Sequence, residues 1–227
     1  MGRRRSRRIP WCAGPARSDL VDRIEAQLRE YYEAEAERRL RPAHSERRRK
    51  LAATTASRWS ADGIRQVVDV GSGPASDHRV FVGAGIRYVG ADLAIGNARI
   101  AGELQQIVVP ATLFALPFVD GAFESGWSMS TFQHVPDDRI DEAFTEFVRV
   151  ISPGAPVAIG LWGGRDEVIE SSWASSGLTL DRHYELRTHE RITAIASRHL
   201  RIDYEEIWTQ VGVSDWEYHV VIGSTPR

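Results

Sequence analysis

The 227-residue sequence predicts an α/β fold: a parallel sheet with helices on both faces, closing in an antiparallel pair and preceded by a helical extension. Three observations carry this. From Trp59 onward, short apolar runs alternate with helix-length amphipathic stretches. The first run enters a glycine-rich turn, Gly71-Ser72-Gly73-Pro74. The last two runs, Ile202 to Thr209 and Trp216 to Ile222, are separated only by a polar segment with Gln210, Gly212 and Ser214, as adjacent antiparallel strands would be.

Residues 1 to 16 are expected to lie outside the fold as a solvated, disordered arm. Arg3, Arg4, Arg5, Arg7 and Arg8 resemble a twin-arginine export signal only in the arginines. Gly14, Pro15, Arg17, Asp19 and Asp22 interrupt any apolar segment after them, so export is not expected. From Ser18, an expected N-cap, Leu20, Ile24, Leu28 and Tyr31 repeat at helical spacing until Pro42. A second helix, about Ser45 to Ser57, carries Arg47, Arg48, Arg49 and Lys50, which are expected to form a solvated face. Residues 17 to 58 thus make a helical extension and 59 to 227 the main domain. There, Gln66 to Val70, Ile86 to Ala91, Gln106 to Val109, Phe123 to Met129 and Pro156 to Leu161 read as strands. A helix from about Arg139 to Ile151 precedes the last of these, and another follows Arg187 to about His199.

Composition bounds the function. With 42% hydrophobic residues and 29 basic against 31 acidic side chains, the chain is a soluble globular type. Its length buries roughly 70% of the unfolded surface, enough for one core without metals or disulfides. Cys12 is the lone cysteine, which excludes an intramolecular disulfide and a multi-thiolate metal site and fits a reducing, cytoplasmic setting. No apolar run approaches the roughly 18 residues of a spanning helix. The near-neutral charge argues against a surface built for nucleic acid. Lys50 is the only lysine among the 29 basic residues, which reads as codon bias in a GC-rich genome, because most of the arginines are scattered.

Asp69-Val70-Gly71-Ser72-Gly73 is the most informative segment. Glycines let the backbone approach a ligand at a helix start whose amides favour oxygen ligands. Dinucleotides use such a turn as GxGxxG, and S-adenosylmethionine uses it with an acid two positions before the first glycine. Here Asp69 is present and Ser76 replaces the last glycine of the dinucleotide pattern. An anionic Asp69 would repel a pyrophosphate and attract an ammonium or sulfonium; its competing reading is a cap on the turn amides. Asp92 ends the second run, 19 residues after Gly73, where a carboxylate accepts hydrogen bonds from a ribose diol in either class. A helix cap is its competing reading.

The segments Leu116-Pro117-Phe118-Val119-Asp120-Gly121-Ala122-Phe123-Glu124, Ser128 to Phe132, His134-Val135-Pro136-Asp137-Asp138 and Arg149-Val150-Ile151-Ser152-Pro153-Gly154 follow in order. Together they resemble the class I S-adenosylmethionine-dependent methyltransferases, and within them the small-molecule branch called methyltransferase type 11, which includes quinone-biosynthesis C-methyltransferases. With the glycine turn and Asp92 the resemblance covers about residues 65 to 162. It implies a Rossmann-like, seven-stranded, mostly parallel sheet with helices on both faces and a reversed last strand. Carried over residue by residue, Gly71, Ser72 and Gly73 would pack on the methionine portion, Asp92 and Leu93 would hold the ribose, and Leu113 would offer its N–H to adenine. Ser128 would line the floor beneath the sulfonium. Thr112 replaces the usual acid at the adenine amino group, so Thr112→Asp is expected to tighten binding. Ala75 replaces a usual glycine. The N-terminal helices would cover the site with Tyr31 and Tyr32. Tyr32, Phe132 and Trp162 would wall an acceptor pocket. His134 is a candidate general base, in a family where it is mainly structural. The remaining histidines show no metal-ligand spacing such as HExxH, and no metal is expected.

The resemblance implies transfer of a sulfonium methyl to an oxygen, nitrogen or carbon of a small-molecule acceptor. Because charge is neutralised in that step, holding the reactants at near-attack distance supplies most of the acceleration, and no catalytic triad is required. Nucleic acid is disfavoured as a partner. Met129-Ser130-Thr131-Phe132 replaces the Asn/Asp-Pro-Pro-aromatic segment of exocyclic-amine methylases, and Cys12 lies in the arm. Two other classes fit the same residues. A non-catalytic S-adenosylmethionine-binding module acting through a protein partner would keep every motif and fail only turnover. An NAD(P)-dependent reductase would share the sheet and Asp92 and differ in which cofactor binds.

Overall fold

The computed structural model describes residues 19–36, 45–175, 178–209 and 216–227; the arginine-rich arm and the expected cap at Ser18 lie outside them. Helices α1 (Asp19–Glu35) and α2 (Glu46–Ala61) precede the alternating part of the chain. Strand β1 (Gln66–Val70), α3 (His78–Gly83), β2 (Arg87–Asp92), α4 (Ile95–Glu103) and β3 (Val108–Pro110) form its first half. β4 (Gly126–Met129), α5 (Ile140–Arg149) and β5 (Pro156–Gly163) follow. A hairpin of β6 (Glu167–Ser175) and β7 (Leu178–Leu186) then precedes α6 (His189–His199), β8 (Arg201–Thr209) and β9 (Glu217–Ser224).

Seven strands form one sheet in the order β3-β2-β1-β4-β5-β9-β8. The first five are mutually parallel, and β9 runs antiparallel to both β5 and β8, so the reversed strand is the last, as expected. The strands of a parallel sheet covered on both faces read as near-continuous apolar runs, and in β1 Val67 and Val68 are both fully buried, on opposite faces. Val68 and Val70 join Phe132, Phe144, Phe147, Ile159 and Ile192 beneath α5 and α6. Val67 joins Trp127, Ala158, Phe81 and Trp59 beneath α2 and α3. Each of these large side chains contributes about 1.5–3 kcal/mol by leaving water.

Three expectations change here. Helix α2 runs on to Ala61, because Trp59 is buried edge-on against Trp127 at 6.4 Å; a boundary between 58 and 59 would fall inside this helix. Its basic run is not wholly solvated: Arg47, Arg49 and Lys50 are exposed, but Arg48 turns inward to Asp77 at 2.9 Å. The hairpin was not foreseen at all. β6 and β7 pair residue by residue, from Glu167 opposite Leu186 to Ser175 opposite Leu178. Its far end is tied down by Arg187, which is buried and donates to Asp137 Oδ1 at 2.7 Å and to the carbonyls of Val135 at 2.7 Å and Glu185 at 3.0 Å.

Candidate functional site

A cavity of about 370 Å³ opens at the carboxyl ends of the parallel strands, where open α/β sheets bind ligands. The segments after β2 and β3 supply Asp92, Leu93, Leu113 and Phe114 at one end. The glycine turn after β1 lies in the middle, and His134 and Trp162, after β4 and in β5, stand at the other end. Helix α1 roofs the cavity with Val21, Ile24, Glu25, Leu28 and Tyr32, and β7 adds Arg182 and Tyr184. α1 is fixed there partly by Glu33, whose carboxylate accepts from Gly96 N–H at 2.8 Å in the first turn of α4, a favourable place for an anion.

The turn is built for close approach. Gly71 and Gly73 have φ of 75° and 57°, and a Cβ on Gly71 would collide with the Thr131 side chain. The N–H groups of Gly71 and Ser72 donate to Ala91 O at 2.7 and 3.2 Å, which folds the turn over the end of β2. Ala75, which replaces a usual glycine, adopts a left-handed φ of 61°, the conformation in which glycine carries no steric cost.

The Asp92 carboxylate faces the cavity and is also tied into the fold around it. It accepts from Gly73 N–H at 2.7 Å, from Ala94 N–H at 2.9 Å and from Asn97 Nδ2 at 2.9 Å while lining the cavity. A carboxylate has about four acceptor sites, so roughly one is left to face a ligand hydroxyl, and a two-bond grip on a diol is not available.

Gly71, Ser72, Gly73, Asp92, Leu93, Leu113, Tyr32, His134 and Trp162 are thus brought to one wall system. Asp69, Thr112, Ser128 and Phe132 stand one layer back. Ser128 donates to Val70 O at 2.8 Å, and Phe132 is buried against Phe144 in the core. Thr112 donates to Glu25 of α1 and accepts from Phe114 N–H at 3.2 Å. Asp69 is buried behind the turn, accepting from Tyr88 OH at 2.5 Å. Burial foremost, and then the charge of Asp77, pushes its carboxyl up to about 8 against that hydrogen bond. Asp77 is itself held by Arg48 and by Trp127 Nε1 at 3.0 Å.

His134 is oriented from both sides. Nδ1 lies 2.6 Å from His183 O and Nε2 lies 2.9 Å from Tyr32 OH. A carbonyl only accepts, so Nδ1 carries the proton, Nε2 is the acceptor and the Tyr32 hydroxyl donates to it. The neighbouring His183 is held above the ordinary histidine value: burial opposes its charge, but Glu185 and Glu170 outweigh it. Sequence reasoning missed Glu25, Arg48, Arg182 and Tyr184. The Ser176-Gly177 pair between two strand-length runs was a turn signal for the hairpin. Nothing in the sequence singled out Glu25. Among the described residues no group of His, Cys, Asp or Glu could hold a metal, and no helix is long and apolar enough to cross a membrane.

Residues 68–159 match a family model described as a methyltransferase domain. A chloroplastic tocopherol O-methyltransferase of Arabidopsis thaliana is 32% identical over 112 residues, covering 45% of this chain and 32% of that one. An uncharacterised methyltransferase of Mycobacterium sp. (strain JLS) is 34% identical over 132 residues, covering 51% of this chain and 50% of its own. The chain therefore spans about a third to a half of the length of these relatives. Among solved structures, 1,6-didemethyltoxoflavin-N1-methyltransferase of Burkholderia thailandensis, with 1,6-didemethyltoxoflavin and S-adenosylhomocysteine bound, superposes with a TM-score of 0.67. The superposition covers 95% of this chain and 93% of that one at 14% identity.

Proposed function

From the match of residues 68–159 to a methyltransferase-domain family model, we propose that this chain is a class I S-adenosylmethionine-dependent enzyme that transfers a methyl group from S-adenosylmethionine to a small-molecule acceptor. One observation carries the reading. The Gly73 N–H and the Asp92 carboxylate are bonded to each other in the cavity wall, so the turn and the ribose-facing acid form one rigid unit. The residues fit this cofactor. The turn offers bare backbone where a Cβ would clash, Asp92 keeps an acceptor site, and Leu93, Leu113 and Phe114 give apolar walls for a purine ring.

When bound, S-adenosylmethionine supplies a methyl on a cationic sulfur, whose charge is lost on transfer. The chain's own contribution is placement and proton handling. α1 and β7 shut the cavity from above, excluding water and holding an acceptor against the turn. An acceptor proton can pass through the Tyr32 hydroxyl to His134 Nε2, and the His183 carbonyl then steadies the imidazolium through Nδ1–H. Cys12 as the lone cysteine supports a reducing, cytoplasmic setting.

Titration calorimetry with S-adenosylhomocysteine and with NAD, followed by transfer of labelled methyl to candidate metabolites, tests the proposal. Binding of S-adenosylhomocysteine but not NAD is expected. Tighter binding of NAD would replace the reading with a reductase. Cofactor binding without turnover on any acceptor would favour a non-catalytic module.

A further inference from the structure

At the acceptor end of the cavity stands a cation, Arg182, that has no carboxylate partner among the described residues. Arg182, on β7, lies with its guanidinium carbon 4.6 Å from the ring centre of Tyr31 on α1 and 4.6 Å from that of Tyr184. Its Nε is buried and makes no hydrogen bond, and among the described residues no carboxylate forms an ion pair with it. The other wall arginine, Arg48, is neutralised by Asp77. Among the described carboxylates of the hairpin, Glu167 pairs with Arg165, and Glu170 and Glu185 are engaged by His183, whose side chain points to the opposite face of β7 from Arg182 and Tyr184. A half-desolvated guanidinium between two rings gains from cation–π contact, but its forked donors match a planar anion, and a buried Nε without an acceptor is costly.

Arg182 also donates to the Tyr32 hydroxyl, which in turn donates to His134 Nε2. The cation therefore stands one side chain away from the group that takes the acceptor's proton. Two aromatic side chains, Trp162 and Tyr184, line the cavity beside it, and each meets Trp216 edge-on, Tyr184 at 5.2 Å and Trp162 at 6.4 Å.

We propose that the acceptor is a small aromatic carboxylic acid, its carboxylate held by the Arg182 fork, its ring between Trp162 and Tyr184, and its nucleophilic group at the Tyr32–His134 pair. This deepens the methyl-transfer reading and rests on it. The carboxylate orients the ring and closes the charge balance of the pocket, and Arg182 acts as a specificity-determining residue.

The test uses the full chain saturated with S-adenosylhomocysteine and titrated with 2-, 3- and 4-hydroxybenzoate and with the matching hydroxybenzamides. At least one acid should bind tenfold or more tightly than its amide. Arg182→Met should erase that preference while leaving affinity for S-adenosylhomocysteine and the unfolding midpoint within error. Arg182→Lys should keep part of it, because the charge remains and the fork is lost. If Arg182→Met fails to fold, the acid–amide comparison in the unaltered chain and in Arg182→Lys still decides. Acids that bind no better than amides across the panel, including failure of every acid to bind, overturn the proposal, as does a preference that survives Arg182→Met. Failure of S-adenosylhomocysteine itself to bind overturns the methyl-transfer reading instead, so the two failures are distinct.

Discussion

The hydroxyl of Tyr32 lies 2.9 Å from Nε2 of His134, joining the helix that roofs the cavity to the loop behind β4 across 102 residues of chain. Because His183 O fixes the other ring nitrogen, this contact sets His134 as a proton acceptor facing the cavity. Tyr32→Phe and His134→Gln should each lower the rate of methyl transfer to a hydroxyl acceptor roughly hundredfold, the lower range for a positioned acid or base. Affinity for S-adenosylhomocysteine should stay within error. Single-turnover rates with labelled donor check this, and unchanged rates would leave the pair as a roof latch only.

Gly71→Ala should fail twice over. Its φ of 75° costs an L-residue about 1–2 kcal/mol, and the new methyl would meet Thr131. The variant should unfold at lower urea and lose cofactor binding. Adding Thr131→Ala removes the contacts with Oγ1 and Cγ2 but leaves Cβ at 2.8 Å and the backbone cost in place, so the double variant should recover part of the stability; strictly additive losses would sink the steric account.

For Asp92, three of about four acceptor sites are engaged inside the protein. Asp92→Ala should therefore lower stability by about 1–3 kcal/mol as well as cofactor affinity at least about tenfold. Asp92→Asn should be nearly as damaging, because one amide end would point N–H at N–H. Urea titration and calorimetry read the two effects separately; an intact affinity in Asp92→Asn would show that the ribose does not use this group.

Much of this was written in local signals. The glycine turn and Asp92 were legible because a buried strand, a φ-permissive residue and a strand-end carboxylate all act within a short stretch of chain. The cavity's roof was not. β7 carries Asp181-Arg182-His183-Tyr184-Glu185, which has no apolar alternation to mark a strand, because Arg182 and Tyr184 on one face line the cavity and His183 on the other pairs with Glu170 and Glu185. Arg48 was hidden within a basic run, and Glu25 within an amphipathic helix where most acids are solvated. Their roles depend on Asp77 and Thr112, partners brought in by tertiary packing alone.

Asp69 gives a pH signature. Its carboxyl is pushed up to about 8, by burial foremost and then by the charge of Asp77, whereas an unfolded chain ionises it near about 3.9. The folded state thus holds a proton that the unfolded state releases. Its stabilising effect is complete below about pH 4, declines as pH rises toward about 8 and is flat beyond. The limiting slope is about 1.4 kcal/mol per pH unit. Asp137 is excluded as the source, because the guanidinium groups of Arg191 and Arg187 overcome its burial and hold it below the ordinary value, so its effect appears only as pH falls into the acid range. Asp69→Asn keeps an acceptor for Tyr88 and should reduce the slope of stability between about pH 5 and about 7, roughly one pKa unit inside each limit, leaving only what the shifted His183, His78 and His219 contribute. Urea midpoints across that window check it, and an unchanged slope would assign the dependence elsewhere.

The last prediction reverses an expectation from the sequence. A family-like acid at position 112 was expected to tighten the grip on the adenine amino group, but the Thr112 hydroxyl already donates to Glu25, a buried acid of α1 in the cavity wall beside Leu113 and Phe114. We predict that this acid on the roof serves in place of the one missing from the loop after β3. Thr112→Asp would remove the donor and set a second carboxylate against Glu25, and two like charges at contact distance in a desolvated site repel. The variant should weaken S-adenosylhomocysteine binding and loosen α1. Thr112→Asp combined with Glu25→Gln should restore much of the affinity, since the amide can donate to the new acid. Glu25→Gln alone should weaken S-adenosylhomocysteine by about 1.5 kcal/mol or less, the difference between a charged and a neutral hydrogen bond. It should leave an analogue lacking the adenine amino group unaffected. Calorimetry of the three variants with both ligands decides it: if Thr112→Asp alone tightens binding, Glu25 does not serve the amino group and the roof only covers the site.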